Sequence, residues 1–468
     1  MKILKYTWVL YLAMVWVQCS HYIGTRQSGL TGRDQVANIM SSIKGPVFPD
    51  YTIRITDFSA IGDGLTDCKP AFDQAITDIN HKGGGTLLVP AGTFLLNGPL
   101  VLKSNVRLHL DDGATLKFSG EPGDYLPVVL SRRSGIELYN YAPMVYASHA
   151  VNIAITGAGT LDGSANRVFA GWHDIQNDDQ ALLMQMNQEN IPVNERIFGR
   201  DHHLRPDLVG LWSCSYVRID SVTLVNAPCA VVHATYCDNV QIRNVNISSE
   251  NPDNKALVVD ASRNVLIEQS SLNTRGSGIA IEAGYGSDGD RVGRPAENIL
   301  IRQCFFQSAD NGLLIGSETV AGVRNVFMEH CRMDSVGNAV TTQSAPDRGG
   351  WVENINVSDL AVMYSRHAVI NLNTLSPEGR TGLYIPAFKR LIFQDIDCEQ
   401  AGEFGLYIKG DARSRPEDVW FENVNITGTQ TPVYHKFTKD LKFDRVNING
   451  QLQAQTPPTT PDGLNRTD

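Results

Sequence analysis

The sequence has few cysteines, and their spacing excludes two kinds of site. Eight cysteines are spread over 468 residues, which is too sparse for a disulfide-stabilised scaffold. No Cys-x-x-Cys pair and no histidine cluster has the spacing of metal ligands, so we predict no metal site and no cofactor. Cys304 and Cys331 take equivalent places in the segments IRQCFF and MEHCRM. This equivalence predicts buried thiols stacked on each other.

The sequence also lacks a surplus of positive charge. Lys and Arg number 40 against 50 Asp and Glu, giving a formal net charge of −10 at pH 7. Binding to nucleic acid or to an anionic membrane surface requires a cationic face, so neither is expected as a main partner. An acidic substrate would have to meet a local cluster of Arg and Lys side chains.

The apolar segment near the N-terminus is too short to cross a bilayer as a helix. It runs from Tyr6 to Val17 and follows two lysines, a pattern typical of an export signal. We therefore predict a signal peptide over residues 1–19, no membrane span, and a mature chain that is secreted or periplasmic. Cys19 is either the lipid anchor of an outer-membrane lipoprotein or the last residue before the cleavage site.

Helical periodicity gives way to a different pattern after residue 104. A polar residue, often Asn, precedes a short run of alternating apolar positions, as in SYVRIDSVTL, DNVQIRNVNI, RNVLIEQSSL and ENILIRQCFF. Between Tyr216 and Ile355 the copies lie roughly 23 to 34 residues apart, the size of one solenoid coil. Each coil buries its apolar side only by stacking, so we predict an all-β, right-handed parallel β-helix. A β-sandwich or propeller would instead show hairpin signals or four strands per repeat.

Segments outside the repeats set the predicted domain limits. Residues 20–50 are predicted to form a linker and a first helix, residues 51–450 a single β-helix domain, and residues 451–468 a disordered tail. Gly171 to Arg205 interrupts the repeat and is predicted to form a wall of a binding site. An amphipathic helix from Lys69 to Asn80 is suited to cap the end of the stack. Its apolar face consists of Ala71, Phe72, Ala75, Ile76 and Ile79.

Several longer segments carry a resemblance to a known family. They read FSAIGDGLTDCKPAFDQAI, GGGTLLVPAGTFLLNGPLVLKSNVRLHLDDGATLKFS, ITGAGTLDG, LRPDLV, VNAP followed by His233, and GSETVAGVRNVFMEHCRM. In combination, from about residue 52 to 445, they resemble glycoside hydrolase family 28, the polygalacturonases. The resemblance implies a right-handed parallel β-helix with a groove for acidic or deoxy sugars. An acidic oligosaccharide is therefore the expected partner.

The catalytic motifs of that family are replaced in this sequence. Alignment places Asp253-Asn254-Lys255-Ala256 on the family's Asn-x-Asp-Gly corner, so Lys255 stands where the family has an aspartate. Gly276-Ser277 falls on the family's Asp-Asp pair. The Gly-His-Gly corner becomes Asp310-Asn311-Gly312, and the Arg-x-Lys element becomes Ala339-Val340-Thr341. Inverting glycosidases need a carboxylic acid and a carboxylate, which these replacements do not supply.

The main functional prediction is therefore β-elimination on a uronic acid. Removal of the proton at C5 needs a base and groups that stabilise the enolate-like charge. Lys255 is predicted as the base, its pKa lowered by crowding and by Arg275, with Glu282 and His233 as the other catalytic residues. Glu282 either protonates the leaving oxygen or holds Lys255 in its protonated resting state. A leaving glycosidic oxygen makes a lyase and a leaving hydroxyl makes a dehydratase; both give a 4,5-unsaturated uronyl product.

Four further residues are predicted to bind the substrate. Arg275 and Arg348 are expected to neutralise its carboxylate, and Asp310 to bind sugar hydroxyls. Asn254 lies beside Lys255 at the same corner. The replacements also resemble those of oligosaccharide dehydratases built on the family 28 scaffold in ulvan-degrading marine bacteria.

Two alternative functions remain open at this point. The first is a family 28 hydrolase with relocated carboxylates, drawn from Asp253, Glu282 and Asp310. The second is a protein that binds acidic glycans and has lost catalysis. Elimination is preferred to both because a lysine and a glutamate on neighbouring coils form a new polar constellation rather than scattered bland replacements.

Overall fold

The protein is built mainly from short strands, in a computed structural model that describes residues 32–165, 168–375 and 382–456. The chain divides into two units, Met1–Asn38 and Ile39–Asp468; the described part of the first is the start of helix α1. The helices are α1 (Gly32–Ser42), α2 (Lys69–His81), α3 (Val168–Ile175), α4 (Asn177–Gln188) and α5 (Gly286–Val292). Short 3-10 helices cover Ile55–Phe58, Pro122–Tyr125 and Val193–Glu195.

The strands follow in three groups along the chain. Before the helical insertion lie β1 (Thr52–Arg54), β2 (Asp63–Asp67), β3 (Gly85–Val89), β4 (Gly92–Leu96), β5 (Leu100–Val101), β6 (Val106–Leu110), β7 (Ala114–Phe118), β8 (Val129–Arg133), β9 (Ile136–Asn140), β10 (Val145–Ser148), β11 (Val151–Gly157) and β12 (Thr160–Asp162). The second group begins inside the insertion with β13 (Ile197–Phe198) and continues after it with β14 (Val209–Trp212), β15 (Ser215–Asp220), β16 (Thr223–Val225), β17 (Val232–Thr235), β18 (Asp238–Arg243), β19 (Asn246–Ser249), β20 (Leu257–Asp260), β21 (Arg263–Glu268), β22 (Ser271–Thr274) and β23 (Ser277–Glu282). The last group is β24 (Ala296–Arg302), β25 (Phe305–Ile315), β26 (Val323–Gln343), β27 (Trp351–Asn373), β28 (Ala387–Ala401), β29 (Phe404–Lys409), β30 (Glu417–Ile426), β31 (Thr431–Lys436), β32 (Lys439–Ile448) and β33 (Gln451–Leu452).

Successive coils pair in parallel register, which confirms the predicted right-handed parallel β-helix. Val217 pairs with Val240, Val240 with Val265, and Val265 with Ile299. All four side chains are buried in the interior of the coil. Because inward and outward positions alternate along each strand, the same register places polar side chains above one another on the outer face.

Asparagines at one corner of the coil explain the repeating polar residue in the sequence. Asn264, Asn298, Asn325 and Asn354 have φ values of 56°, 58°, 56° and 57°, in the left-handed region that Asn tolerates better than most residues. Their amides donate from each coil to the one before it, at 3.1, 2.9 and 2.7 Å. An amide both donates and accepts hydrogen bonds, so a stack of asparagines can form a continuous ladder of hydrogen bonds along the coils.

The N-terminal end of Ile39–Asp468 is covered as the sequence predicted. Helix α2 buries Phe72, Ala75, Ile76 and Ile79 against the first coils and ends one residue later than expected. At the other end, Gln451–Leu452 forms a strand antiparallel to β32, so ordered structure continues into the segment predicted as a tail. The predicted signal peptide, Cys19 and the tail from residue 457 lie outside the described residues.

The predicted pair of stacked thiols is confirmed. Cys304 and Cys331 are both buried and do not form disulfides. Their thiols are hydrogen-bonded to each other. Among the described residues, no helix combines the length and the apolar character needed to cross a bilayer.

A β-hairpin departs from the stack and carries basic residues toward one face. Strands β8 and β9 pair antiparallel with Arg133 opposite Ile136, which leaves a two-residue turn of Ser134 and Gly135. Both have positive φ, 48° and 71°, as a type I′ turn requires. This basic hairpin, residues 129–140, places Arg132 and Arg133 immediately before its turn. Strand β9 also pairs with β13 of the insertion, so hairpin and insertion form one wall.

Candidate active site

The candidate site lies on the outer face of four consecutive parallel strands, β14, β17, β20 and β23. Their register puts His233 beside Val258, and Val258 beside Ala280. Two positions further along the strands, Asp260 pairs with Glu282. Alternation along a strand puts both columns on the same face.

A cavity of about 180 Å³ opens above this face. Its polar lining includes Arg133 of the basic hairpin, Asp207, His233, Lys255 and Glu282. The insertion folds as helices α3 and α4 and contributes Gln180 to the lining. The insertion therefore borders this cavity, and its role as a wall of a binding site stays a prediction.

Lys255 and Glu282 meet beside the cavity. The Lys255 ammonium donates a hydrogen bond to Glu282 Oε1 and forms an ion pair with it. The Glu282 side chain is 2% exposed, whereas that of Lys255 is 32% exposed. The sequence prediction that Glu282 holds Lys255 in its protonated state is consistent with this contact.

The expected lowering of the Lys255 pKa is wrong. Burial alone would lower this pKa, but the carboxylates of Glu282 and Glu318 outweigh burial and raise it above its ordinary value. Arg275 was expected to cause the lowering, yet it is exposed. Lys255 therefore carries its proton at neutral pH and is poorly suited to remove one from a substrate.

Glu318 is the third member of this cluster and was not predicted as a site residue. Its side chain is 11% exposed and lies 3.8 Å from Arg348 Nη1. Burial and then the nearby Glu282 carboxylate raise the pKa of Glu318 to about 7. Glu318 is thus a buried carboxyl group that can hold a proton near neutral pH, within the electrostatic reach of Glu282 and Lys255.

His233 belongs to a second, buried ionic network under the cavity. Its Nδ1 lies 2.9 Å from Asp207 Oδ2, and its Nε2 lies 3.7 Å from Asp260 Oδ2. Burial would lower the pKa of His233, but Asp207 and Asp260 raise it to about 10. Arg132 completes the network, with Nη1 3.0 Å from Asp260 Oδ1. The imidazole is therefore a cation at neutral pH, and its catalytic role stays a proposal.

Asn254 was predicted to bind the substrate, but its side chain is buried and engaged by the protein. It is fully buried, and its amide donates to the Ala227 carbonyl at 2.7 Å and to Ser249 Oγ at 2.9 Å. Its own carbonyl accepts from the Gly276 N–H at 3.0 Å. All of these contacts fix the corner that precedes Lys255, so Asn254 positions the chain.

The other predicted binding residues lie apart from the cavity lining. Asp310 and Arg275 are exposed, and Asp310 accepts a hydrogen bond from its neighbour Asn311 at 3.2 Å. Arg348 is buried and pairs with Asp347 at 2.8 Å. Asp253 lines the cavity mouth and contacts His173 of α3 at 2.8 Å. Within the described ranges, no group of three His, Cys, Asp or Glu residues is placed to hold a metal ion.

Comparison with known proteins finds relatives that align with most of this chain. A "Probable polygalacturonase" from Vitis vinifera is 24% identical over 324 residues, 67% of this chain and 61% of that protein. An "Exo-poly-alpha-D-galacturonosidase" from Dickeya chrysanthemi is 25% identical over 442 residues, 86% of this chain and 72% of that protein. The chain thus spans less than two thirds of the grape protein.

A solved structure is closer in sequence. The hyperthermoactive exopolygalacturonase from Thermotoga maritima is 35% identical, with a TM-score of 0.86 over 91% of this chain and 97% of that one. These relatives are named as glycosidases, so the main prediction of a β-eliminating lyase or dehydratase is wrong. The resemblance to the ulvan-type dehydratases receives no support from them.

The family resemblance itself is confirmed over most of the chain. The profile described as "Glycosyl hydrolases family 28" matches residues 85–441, which include the basic hairpin, the insertion and all four strands of the site. The chain belongs to glycosyl hydrolases family 28.

Proposed function

We propose that the protein hydrolyses a glycosidic bond of an acidic, galacturonan-type glycan, with Glu318 as general acid and Glu282 as the carboxylate that activates water. The substrate class follows the names of the relatives, above all the exopolygalacturonase that is 35% identical. The observation that carries the catalytic assignment is that Glu282 lines the cavity in an ion pair with the lysine that replaces a family aspartate, and that the charges of both residues act on the buried Glu318 carboxyl group.

Glu318 has the protonation state that a general acid needs. A carboxyl group with its ordinary pKa is ionised at neutral pH, whereas a pKa of about 7 keeps a large fraction of Glu318 protonated. The proton passes to the glycosidic oxygen as the bond to the anomeric carbon breaks. The Glu318 carboxylate formed in this step lies in the field of Lys255 and Arg348, which lower its pKa and so stabilise it.

Glu282 has the charge environment of the complementary group. Its carboxylate faces the Lys255 ammonium, and it lines the cavity where a water molecule and a sugar ring would meet. In a hydrolase the second carboxylate either takes a proton from water or attacks the anomeric carbon. Activation of water leaves Lys255 as a positioning residue, protonated throughout.

The size of the cavity favours action at the end of a chain. Sites for drug-sized ligands have volumes of about 300–1,000 Å³, and this cavity of about 180 Å³ is smaller. The basic hairpin and Gln180 of α4 bound it above the strands. We therefore expect single sugars or short fragments to be released progressively, without an early drop in polymer length.

The pH dependence of the reaction should report the proton on Glu318. Because the acid must be protonated, kcat/KM is expected to fall as the pH rises through about 7. Stopped assays of reducing-sugar release between pH 4 and pH 9 measure this limb. A rate that is flat through neutrality would contradict the assignment.

Substitutions at the two neighbours should move this limb in opposite directions. Lys255 lowers the pKa of Glu318 and Glu282 raises it, so Lys255→Met shifts the limb to higher pH and Glu282→Gln shifts it to lower pH. Lys439→Met is a matched control, since Lys439 forms an exposed ion pair with Glu417 at 2.6 Å. Shifts of the same sign for both site variants would contradict the assignment of Glu318 as the general acid.

The substrate proposal is tested by comparing polymers. Incubation with polygalacturonate should release reducing sugar without the ultraviolet absorbance of an unsaturated product, while neutral galactan should remain intact. Cleavage of galactan at an equal rate would overturn the acidic substrate class. Binding of polygalacturonate with no cleavage would favour the glycan-binding alternative.

A further inference from the structure

Two arginines beside the cavity contact only neutral groups. Arg133 contacts the Cys229 thiol through Nη1 and donates to Gln176 Oε1 through Nη2 at 3.2 Å. Arg205 donates to the same Gln176 oxygen through Nε at 3.2 Å, and to the Pro228 carbonyl at 3.1 Å. Within the described parts of the chain, neither guanidinium forms an ion pair with a carboxylate.

The other cations of the site differ in this respect. Lys255 is paired with Glu282, His233 with Asp207, and Arg132 with Asp260. The carboxylates next to the cavity are therefore engaged by these partners. Carboxylates such as Asp207 act on Arg133 and Arg205 from a distance, but in the described residues none of them forms an ion pair with either guanidinium.

Arg205 carries one donor that the described residues leave unsatisfied. Its side chain is 1% exposed, and its Nη2 is buried with no hydrogen-bond partner among the described residues. Burial lowers the pKa of Arg205, which reflects the cost of holding this charge away from water. A buried, uncompensated charge is unfavourable unless an anion or a hydrogen-bond acceptor joins it.

We propose that Arg133 and Arg205, bridged by Gln176, form the site that binds the carboxylate of a uronic acid residue of the substrate. A guanidinium is planar and presents parallel N–H donors that match a carboxylate. Four residues that interact electrostatically with Arg205 also line the cavity: Arg133, Asp207, Cys229 and Asp253. This inference rests on the proposed function for the identity of the sugar.

The proposed site replaces the one expected from the sequence. Arg275 and Arg348 were predicted to neutralise the carboxylate, but Arg275 is exposed and Arg348 is held by Asp347. The new pair comes from the basic hairpin and from the end of the insertion. Both segments lie outside the repeating coils.

The test measures binding rather than turnover. In the full-length Glu318→Gln protein, calorimetry compares a galacturonate oligosaccharide with the corresponding galactose oligosaccharide and with a sulfated galactose. Arg133→Met is expected to weaken galacturonate binding by on the order of ten- to a hundredfold and to leave galactose binding unchanged. Arg133→Lys keeps the charge but loses the planar fork, so an intermediate loss is expected. If Arg133→Met does not fold, Arg133→Lys tests the inference in its place.

Arg218→Met is the matched control, because Arg218 also donates only to a glutamine oxygen, that of Gln241 at 2.8 and 3.0 Å, on a strand away from the cavity. It should bind like the parent. Equal losses of galacturonate and galactose affinity for the Arg133 variants would overturn the inference, as would tighter binding of sulfated galactose than of galacturonate. Arg133-dependent binding by a wild-type protein that hydrolyses nothing would instead refute the proposed function and leave the carboxylate site standing.

Discussion

Replacing Glu318 by glutamine is expected to slow hydrolysis by on the order of a hundred- to ten-thousandfold, the range of a lost general acid. Glutamine has nearly the shape of a protonated glutamate, and the pKa of about 7 means that Glu318 is largely neutral in mildly acidic solution. The substitution therefore removes the transferable proton with little change in packing or charge. Reducing-sugar release from polygalacturonate at pH 6 gives the rate, and calorimetry checks that substrate binding is retained.

Glu329→Gln provides the control for this experiment. Glu329 forms an ion pair with Arg302 at 2.7 Å on a different part of the coil, so this variant should keep the parental rate. A Glu318→Gln enzyme that retained more than about a tenth of the activity would show that another group supplies the proton. Asp207, held against His233 in the cavity lining, would then be the next candidate to replace.

Replacing Asp260 by asparagine is expected to destabilise the folded protein by about 3–5 kcal/mol, as for other buried pairs that lose one partner. Asp260 and Arg132 are 0% and 1% exposed, so the change leaves the charges of Arg132 and His233 buried without their shared anion. It should also lower the pKa of His233, because Asp260 helps to raise it. Urea unfolding followed by tryptophan fluorescence measures the change in stability.

The control makes the same Asp→Asn change in an ion pair whose arginine is exposed. Asp238 pairs with Arg263 at 2.8 Å, and that arginine side chain is 52% exposed, so Asp238→Asn should cost under about 1 kcal/mol. Equal midpoints for the two variants would mean that the buried network contributes no more than a surface ion pair. The basic hairpin would then owe its position to other contacts.

Features that repeat with the coil could be predicted from the sequence. The corner position of Asn298 and Asn325, the stacking of Cys304 on Cys331 and the apolar face of α2 all follow from short-range periodicity. Because the coils stack in register, residues on neighbouring coils are expected to lie close together. Lys255 and Glu282 were expected to be neighbours for this reason, and they are in contact. The fold class was predicted for the same reason.

Features outside the repeat could not be predicted in this way. Arg133 lines the cavity, and Arg205 lies behind it against Gln176, because a hairpin and an insertion fold back over the strands. No spacing in the sequence encodes these contacts. The Ser134-Gly135 dipeptide is a turn signal. It marks a turn in the sequence, but it does not indicate that the turn lies over the strands of the candidate site.

Protonation states depend on burial and on which charge is nearer. The sign of the Lys255 shift was wrong because Glu282 and Glu318, rather than Arg275, surround the ammonium. Glu318 looked ordinary in the sequence for the same reason, since only burial beside Glu282 gives it a raised pKa. The prediction of elimination started from the replaced aspartates, but it also required an unprotonated lysine and so depended on that wrong sign.

The most direct test of the account is the fate of solvent oxygen during cleavage. Reaction of the wild-type protein with galacturonate oligosaccharides in water enriched in heavy oxygen, followed by mass spectrometry, distinguishes hydrolysis from elimination. Hydrolysis predicts one heavy oxygen at the anomeric carbon of each new reducing end and a gain of one water per cleavage. Unlabelled fragments carrying a 4,5-unsaturated uronyl end would contradict the account.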